Sequence, residues 1–517
     1  SATITPPAKF TPTATITPTA TITPTATITP TATVTPTVGP TPTPPKELPL
    51  PFTANNRWLY DGDVGTGIQV QNLNASDVAL YVARFFDANG NEVLKVEKTA
   101  APGGAPNIYL PNFQISDGLL PGIYSGRVTA DQPIGTIVRT DWYDTGAAGI
   151  YSQVKPGDDV IVPIVVRRHE DASSILVVQN DGDVVAEALV SLHRLGFVGD
   201  PELVLGPYEI PPGAARQIHL LFESELAGLD DFVGWARVTS SGAEVAVQSF
   251  AMVEPGVRAV QAVYAFEGVP LAAADSTLYV PLFRSHQRGF GAEKLDTTFA
   301  VVNPGDVAAE VSVTYHGTFN PVASDECRGG TFTHEPVVIP AGGSHLFEQG
   351  PGGAHDLPAD CFGSAVIRTA ASDQRVVATI IDATDGNSLL SAYNALPASE
   401  AGRRVALPLF RRSHYGLTTG IQAMNVSSEP VTVTLRFFAT DPDTDESTEI
   451  VGCEECVQTL APHQGFDWWP GRIPQIPNFT FGSATLSSTL PIVALVNDYP
   501  LTGQTDPATY IGIPAGE

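Results

Sequence analysis

The sequence predicts an all-β protein in which four β-sandwich domains follow an extended Thr/Pro-rich segment. Its 517 residues include 47 Gly and 45 Pro, a proportion of turn formers that is too high for a helical bundle. Because 43% of the residues are hydrophobic and only 16% are charged, the chain is also too apolar for a disordered polymer. Strand-like patterns recur four times after residue 47, and Thr alternates with apolar residues before it.

The chain is strongly acidic, with 55 Asp and Glu against 27 Lys and Arg and a formal net charge of -28. Nonspecific binding to nucleic acid or to an anionic membrane needs a basic surface, so we expect neither partner. No apolar run approaches the ~18 residues of a membrane span, and no signal-peptide pattern is present. We therefore expect a processed, secreted chain that starts at Ser1.

The first segment, residues 1–47, has Thr at every odd position from Thr11 to Thr37. One interpretation is a semi-rigid spacer with O-linked glycans on Thr. The other interpretation uses the parity: in an extended strand the hydroxyls would line one face and the apolar side chains the opposite face. The apolar residues that would then form an assembly strand are Ile16, Ile22, Ile28 and Val34.

The prolines of this tract also share one parity, from Pro12 to Pro36. Every missing N–H would therefore lie along the same edge of an extended strand, and the Thr edge would keep a complete ladder. A strand of this kind can add to a sheet and then block further growth. We expect it to dock on a neighbouring subunit, and only along a long preformed edge, because ordering the tract costs conformational entropy.

Each of the four repeats opens with a strand that contains proline and continues with an apolar strand that ends in Asn. A polar turn and an alternating strand follow, which predicts antiparallel hairpins. A Pro/Gly turn, a strand of small residues and a closing strand complete the unit. The prolines are Pro51, Pro163, Pro281 and Pro408, and the asparagines are Asn72, Asn180, Asn303 and Asn425.

About seven short strands per unit indicate a β-sandwich. We expect sandwiches at residues 48–158, 159–272, 273–402 and 403–517, arranged as a rod. The pattern resembles the tandem immunoglobulin-like or fibronectin-like domains of secreted bacterial and archaeal surface proteins. This resemblance covers residues 48–517 as an architecture, without the Cys-Trp-Cys signature of immunoglobulin domains. We expect the protein outside the cell or at its surface.

Four cysteines occur as two pairs in neighbouring segments. In an exported protein we expect two local disulfides, Cys327 with Cys361 and Cys453 with Cys456. The alternative for the CEEC segment is half a zinc site or a redox motif. Neither a second CxxC nor a βαβ pattern accompanies it.

No catalytic motif is found: HExxH, P-loop, GxSxG and Rossmann fingerprints are all missing from the sequence. We therefore expect no enzyme activity and no cofactor. His316, His334, His345 and His355 are a weak metal candidate, because their spacing follows no helical or finger pattern. Segment 441–449 has alternating carboxylates but lacks the Gly of a calcium loop, so a solvated hairpin tip is the simpler interpretation.

Arg and His recur after the opening strand of three units. Reuse at similar positions predicts a shared structural contact with the adjoining domain or subunit, and a repeated ligand site is the alternative. The residues are Arg168, His169, Arg284, His286, Arg412 and His414.

Two classes of function fit these patterns. In the first, the protein is a structural subunit of an extracellular filament or surface layer, and copies of the chain polymerise through the N-terminal strand. In the second, it is a stalked adhesin or carbohydrate-binding protein whose tract is a glycosylated spacer. Trp468 and Trp469 are the adjacent aromatic residues that favour sugar stacking.

Overall fold

The computed structural model describes residues 47–58, 63–144, 146–229, 231–253, 263–288, 294–349, 355, 357–384, 390–501 and 507–515. The assembly strand with Ile16, Ile22, Ile28 and Val34 lies outside the described residues, so its docking stays a prediction.

The described chain consists of antiparallel β-strands, which confirms the all-β fold class. One four-residue helix, α1 (Phe113–Ser116), and five 3₁₀ turns accompany 38 strands in this part of the chain. None of the described helices is long and apolar enough to cross a membrane. Each sheet takes its strands from one of four consecutive segments.

The first sandwich starts at Leu48. Its strands are β1 (Leu48–Asn55), β2 (Arg57–Trp58), β3 (Asp63–Asn72), β4 (Ala79–Phe86), β5 (Glu92–Ala100), β6 (Asn107–Tyr109), β7 (Gly122–Ala130), β8 (Ile134–Trp142) and β9 (Ala148–Tyr151). The first sheet has the order β1-β7-β4-β5, and the second has the order β2-β3-β8-β9 with β6 beside β3.

The second sandwich repeats this plan. Its strands are β10 (Asp159–Arg167), β11 (Ala172–Asn180), β12 (Ala186–Arg194), β13 (Leu203–Ile210), β14 (Ala215–His219), β15 (Phe232–Ser241), β16 (Val245–Val253), β17 (Val263–Glu267) and β18 (Val269–Pro270). The first sheet has the order β13-β12-β15-β10-β18, and the second has the order β14-β11-β16-β17.

The third sandwich divides its outer edge between two short strands. Its strands are β19 (Thr277–Ser285), β20 (Gln287–Arg288), β21 (Lys294–Val302), β22 (Ala309–Gly317), β23 (Thr331–Thr333), β24 (Val337–Ile339), β25 (Ser344–Glu348), β26 (Cys361–Thr369), β27 (Val377–Thr384), β28 (Leu390–Asn394) and β29 (Leu396–Pro397). The sheet orders are β23-β22-β26-β19-β29, with β24 also on β22, and β20-β21-β27-β28, with β25 on β21.

The fourth sandwich has one strand that runs through both sheets. Its strands are β30 (Gly402–Arg412), β31 (Leu417–Asn425), β32 (Val431–Thr440), β33 (Ser447–Ile450), β34 (Val457–Leu460), β35 (Gly465–Trp468), β36 (Thr480–Pro500), β37 (Ala508–Ile511) and β38 (Ile513–Pro514). Strand β36 pairs with β30 and β32 in its first half and with β31 and β37 in its second half.

The strands show two patterns of burial. Strands β4 and β12 alternate between buried and more exposed residues, because one face of their sheet meets solvent. Strands β16 and β31 are buried at every position. Their sheets are covered on one face by the first sheet of the same sandwich and on the other by a neighbouring sandwich. The continuous apolar sequences of β16 and β31 therefore reflect two interfaces, one within the sandwich and one with the neighbouring sandwich.

The proline of each opening strand lies at a break in the pairing register, at Leu50/Thr53 in β1 and at corresponding positions in the other three. A bulge suits proline because it has no N–H to donate to the ladder. In three sandwiches a tyrosine hydroxyl donates to the bulge carbonyl. These bonds run from Tyr151 to Phe52, from Tyr393 to Leu282 and from Tyr510 to Leu409.

The four sandwiches close into a ring. Each opening strand packs on the second sheet of the next sandwich: β1 on β11 and β16, β10 on β21 and β27, and β19 on β31 and β36. Strand β30 of the fourth sandwich packs on β3 and β8 of the first. Strands β9, β17, β28 and β37 contact one another in the same cyclic order.

The expected rod is therefore wrong. Each sandwich has two different apolar faces that complement each other, so the contact is head-to-tail, and a head-to-tail contact whose rotation closes gives a ring. The face left open on the first sandwich is covered by the fourth, where Ile137 and Ile150 join the apolar core around Val405 and Tyr510.

Candidate functional site

An equivalent serine joins three of the sandwiches to the next one. The three bonds run from Ser125 Oγ to the Gly213 carbonyl at 2.6 Å, from Ser364 Oγ to the His463 carbonyl at 2.7 Å and from Ser483 Oγ to the Gly103 carbonyl at 2.6 Å. Each acceptor lies in a turn that contains proline. In the second sandwich Trp235 takes the serine position and packs with Ile161, Val302 and Val377.

A glutamine strengthens two of the joints. Gln71 Nε2 donates to the Ala484 carbonyl of the fourth sandwich at 3.0 Å, and Gln179 Nε2 donates to the Gly126 carbonyl of the first at 2.9 Å. Gly126 and Ala484 hold equivalent places in the strand of small residues, opposite Leu50 and Leu407. The joint between the first and fourth sandwiches, which closes the ring, thus contains the same glutamine-to-carbonyl hydrogen bond as the joint between the first and second sandwiches.

A buried charge cluster lies at the joint between the fourth and first sandwiches. Asp498 Oδ2 accepts hydrogen bonds from Arg139 Nη1 at 2.9 Å and from Arg411 Nη1 at 2.6 Å. Burial lowers the pKa of Arg411, and Arg139 adds to this effect, while the negative charge of Asp498 opposes it. Asp141 Oδ1 lies 2.7 Å from Arg139 Nη2, so two carboxylates balance the two guanidinium groups at this interface.

The third sandwich has a related pair. Arg284 donates to the Asp382 carboxylate and to the Tyr499 hydroxyl of the fourth sandwich. Burial raises the pKa of Asp382, and the charge of Arg284 and a hydrogen bond from Thr297 oppose that rise. Asp382 and Asp498 both lie at the end of an apolar closing strand, where a carboxylate is a sequence signal for a buried ion pair.

Strand pairing corrects the equivalence expected among the recurring Arg and His residues. Phe283 and Phe410 both pair with the first glycine of the small-residue strand, so Arg284 corresponds to Arg411. By the same register Arg412 corresponds to Arg167 and to Ser285. Aligning the Arg-Ser-His triplets at 284–286 and 412–414 is one residue out of register, whereas counting from the proline agrees with the strand pairing.

The six predicted contact residues have different partners. Arg284 contacts the adjoining sandwich through Tyr499. Hydrogen bonds within one sandwich join His169 Nδ1 to Asp231 at 2.7 Å, His286 Nδ1 to Asp296 at 2.8 Å, His414 Nδ1 to the Phe479 carbonyl at 3.1 Å, the Arg168 amide to Ser173 Oγ at 3.0 Å and Arg412 Nη1 to the Ile473 carbonyl at 2.5 Å. These five bonds anchor loops, and the contact shared between sandwiches is made by the serines described above.

A cavity of about 270 Å³ lies where the four sandwiches meet, and all four contribute to its wall. Ser152, Glu267, Asn394 and Ile511 occupy equivalent places there, each just after the aromatic residue of the last strand. Glu267 Oε1 accepts from the backbone amide and Oγ of Ser152 at 2.5 and 2.7 Å. Burial raises the pKa of Glu267, and these bonds oppose the rise. Because its polar groups bond one another, this cavity is a structural junction.

A second cavity, of about 400 Å³, opens between the third and fourth sandwiches. We call it the Trp469 cleft, and its polar and aromatic walls include Asn320, Thr418, Gln422, Asp467, Trp469 and Arg472. Asn320 Nδ2 donates to Asp467 Oδ2 at 2.8 Å. Burial raises the pKa of Asp467, although bonds from Asn320 and Trp469 oppose the shift.

Trp468, the other member of the aromatic pair, points into the core. It is 3% exposed, and its Nε1 donates to the Glu455 carbonyl at 3.1 Å. Because alternate residues of a strand face opposite sides, only Trp469 of this pair can line the cleft.

The histidines and carboxylates that suggested metal sites have protein partners. The His355 ring stacks on His334 with centroids 4.2 Å apart, and its Nδ1 lies 2.6 Å from the Tyr315 hydroxyl. In segment 441–449, Lys98 Nζ of the first sandwich donates to Asp445 Oδ2 at 2.5 Å. Within the described residues no group of three or more His, Cys, Asp or Glu is placed to hold a metal ion.

Both expected disulfides are present. Cys327 is bonded to Cys361 within the third sandwich, and Cys453 is bonded to Cys456 within the fourth. Cys327 and Cys361 are fully buried, and their bridge ties the loop after β22 to the first residue of β26. The zinc and redox interpretations of the CEEC segment are therefore not needed.

Among the described residues, each first sheet ends in strands with no further strand beside them, namely β5, β13, β23 with β24, and β33 with β34. The longest of these edge strands are β5, with nine residues, and β13, with eight. In the third and fourth sandwiches the same edge is split into short strands. Strand β5 bears an exposed ion pair, with Lys95 Nζ 2.6 Å from Glu97 Oε1, a type of charge that discourages uncontrolled strand pairing.

Comparisons with known proteins give no family. No protein-family model matches the chain, and no curated protein matches it. Among solved structures, the chain is similar at 10% identity and a TM-score of 0.12 to Escherichia coli alpha-2-macroglobulin activated by porcine elastase. That alignment covers 91% of this chain and 44% of the other, so the chain spans less than half of that structure's length.

Proposed function

We propose that the protein is a secreted structural subunit of an extracellular filament or surface layer, and that copies assemble when the N-terminal strand of one subunit docks on the next. The main support is the closed ring, because closure buries the apolar faces between sandwiches, while edge strands such as β5 and β13 have a side without a partner strand among the described residues. The two disulfides suit an oxidising location outside the cell. The architectural resemblance to tandem-domain surface proteins points the same way.

The length of a sheet edge limits the free energy that the tract can gain by docking on it. Pairing along nine residues, the length of β5, would contribute about 5 to 14 kcal/mol from hydrogen bonds. One or two buried Ile side chains add about 2 to 5 kcal/mol. Ordering nine residues costs about 9 to 18 kcal/mol, so one edge gives only marginal binding. Stable assembly therefore requires the tract to pair with more than one edge, where linked contacts reinforce each other.

Electron microscopy of the full chain and of a variant that lacks residues 1–46 tests this proposal. We expect the full chain to form long polymers with a regular repeat, and the truncated chain to stay as folded single rings. Polymers of the truncated chain would overturn the proposal.

A matched pair of variants then tests which face of the tract packs on the neighbouring subunit. Ile16, Ile22, Ile28 and Val34 changed to Asp should prevent polymerisation, because charges cannot be buried against a sheet. The same four charges at Thr13, Thr19, Thr25 and Thr31, on the opposite face, should permit it. Equal effects of the two variants would contradict the strand model.

The alternative is a stalked adhesin whose tract is an O-glycosylated spacer. It predicts single rings on extended stalks, and glycans that mass spectrometry finds on the Thr residues of the tract. Glycans on every Thr together with no polymer would favour this second function.

A further inference from the structure

The Trp469 cleft contains polar groups that no protein atom satisfies. Thr418 and Gln422 lie on the same face of β31, and each is only 5% exposed. Gln422 Oε1 accepts from Asn497 Nδ2 at 2.7 Å, which fixes the amide. Within the described residues neither Gln422 Nε2 nor the Thr418 hydroxyl has a hydrogen-bond partner, and both residues line the cleft. The two residues are largely buried but these polar atoms stay accessible from the cleft, so they are available to a ligand.

An aromatic wall stands beside these groups. Gly420 lies between Thr418 and Gln422, and a Cβ there would come within 3.2 Å of the Trp469 ring. The missing side chain lets the indole lie close to the strand. The Trp469 ring is 5.6 Å from the Tyr499 ring, centroid to centroid, and Trp469 is hydrogen-bonded to Asp467. The indole is thus held in place next to hydrogen-bonding groups.

The cleft is locally cationic in a chain whose net charge is -28. Its lining holds Arg284, Arg412 and Arg472 against one carboxylate, Asp467. Arg284 is neutralised by Asp382, and Arg412 donates to backbone carbonyls. Arg472 is exposed at the rim, and its charge acts on Asp467 across the cleft. An exposed guanidinium beside a polar pocket suits a ligand carboxylate.

We propose that the Trp469 cleft binds a uronic-acid unit of an acidic polysaccharide, with the sugar hydroxyls on Gln422, Thr418 and Asp467, the ring against Trp469 and the carboxylate on Arg472. Its volume, about 400 Å³, falls in the usual range for small-ligand sites. A peptide fits less well, because β31 already pairs with β35 and β36 and has no edge for an extended chain. Binding is the expected role, since the lining supplies one carboxylate and glycoside hydrolysis needs two.

Calorimetry on the full chain tests the proposal with oligogalacturonate and oligoglucuronate as probes and neutral glucose oligomers as the control. We expect the uronates to bind and the neutral sugars to bind at least about tenfold more weakly, with an affinity that falls as salt is added. Arg472→Gln should weaken uronate binding about five- to tenfold. Arg436→Gln removes one positive charge elsewhere in the same sandwich and should leave binding unchanged.

Trp469→Leu and Gln422→Leu should also weaken uronate binding by about tenfold or more. Their circular dichroism and melting curves show whether the variants fold. Quenching of tryptophan fluorescence by uronate in the unmodified chain, and its loss in Trp469→Leu, provides a second readout. Failure of both uronates to bind, equal binding of neutral sugars, or displacement of uronate by acidic peptides of higher affinity would each overturn the proposal. None of these results depends on polymerisation.

Discussion

Arg139 of the first sandwich and Asp498 of the fourth form a buried ion pair, with Nη1 and Oδ2 2.9 Å apart, although 359 positions separate them in the sequence. Their side chains are 3% and 1% exposed. Such a pair forms only if the last sandwich returns to the first, so it marks the closure of the ring. Arg411 on the same carboxylate makes Asp498 the central group of the cluster.

Replacing Asp498 should destabilise the ring more than replacing Arg139. Asp498→Asn removes the carboxylate that Arg139 and Arg411 share and leaves Asp141 on Arg139 as the remaining ion pair of the cluster, so we expect a loss of about 3 to 5 kcal/mol in the free energy of unfolding. Arg139→Met keeps the Asp498–Arg411 pair and should cost less. Urea unfolding measures both. Arg436→Gln, which breaks an exposed pair with Glu449, is the control and should cost at most about 1 kcal/mol.

Solution scattering distinguishes the ring from a rod. A chain without the tract keeps about 470 residues, for which a compact body has a radius of gyration near 23 Å. Four sandwiches of about 35 Å placed end to end would give about 40 Å. We expect the smaller value, and a radius close to the larger one would refute ring closure.

Acid should weaken the joint between the third and fourth sandwiches. Burial lowers the pKa of His316 to about 4, with His463 and Arg368 adding to the effect, and burial also lowers the pKa of His463. A histidine whose folded pKa is depressed contributes stability that is present above its unfolded value of about 6.5 and is lost as pH falls toward the folded value. We therefore expect the urea midpoint to fall between about pH 6.5 and 4.

The double variant His316→Gln and His463→Gln isolates this contribution. Its urea midpoint should fall less over the same pH range, because the two groups that must take up protons on unfolding are gone. An unchanged pH dependence would show that other groups control the acid response.

The two disulfides should differ in what they contribute. Cys327–Cys361 closes a loop with a sequence separation of 34, and Cys453–Cys456 closes one of 3. Loop entropy then gives about 4 kcal/mol for the first bridge and about 1.5 kcal/mol for the second. Paired Cys→Ala variants, compared by urea unfolding, measure the two values. Equal losses would contradict the entropic account, and four free thiols in the intact mass would contradict both bridges.

Local features of the fold could be predicted from the sequence. Alternating burial in strands such as β4 and β12, the proline of each opening strand and the cysteine pairs all depend on neighbours close in the chain. The bulges at these prolines were not predicted, and the tyrosines that bond to them, such as Tyr510, lie about a hundred positions away.

The ring and the cleft could not be predicted in this way. The contact from Ser483 to Gly103 spans 380 positions, and nothing near either residue specifies the partner. The Trp469 cleft likewise combines Asn320 of one sandwich with Asp467 of the next. The one-residue error for Arg412 shows the same limit, since the pairing with Gly363 and Gly482, and not the likeness of the two Arg-Ser-His triplets, determines which residues are equivalent.

Trp235 occupies the position at which the other three sandwiches have a serine that bonds to the next sandwich, so the four joints of the ring are not equivalent. Four separate copies of one sandwich would repeat every surface four times around the axis, whereas a ring encoded in one chain lets each joint diverge. Within the part of the chain that the structure describes, the second joint is aromatic and apolar, the fourth contains the Arg139–Asp498 pair, and the third carries the Trp469 cleft. A ring made from one chain can therefore give each joint a different surface, which four identical subunits could not do.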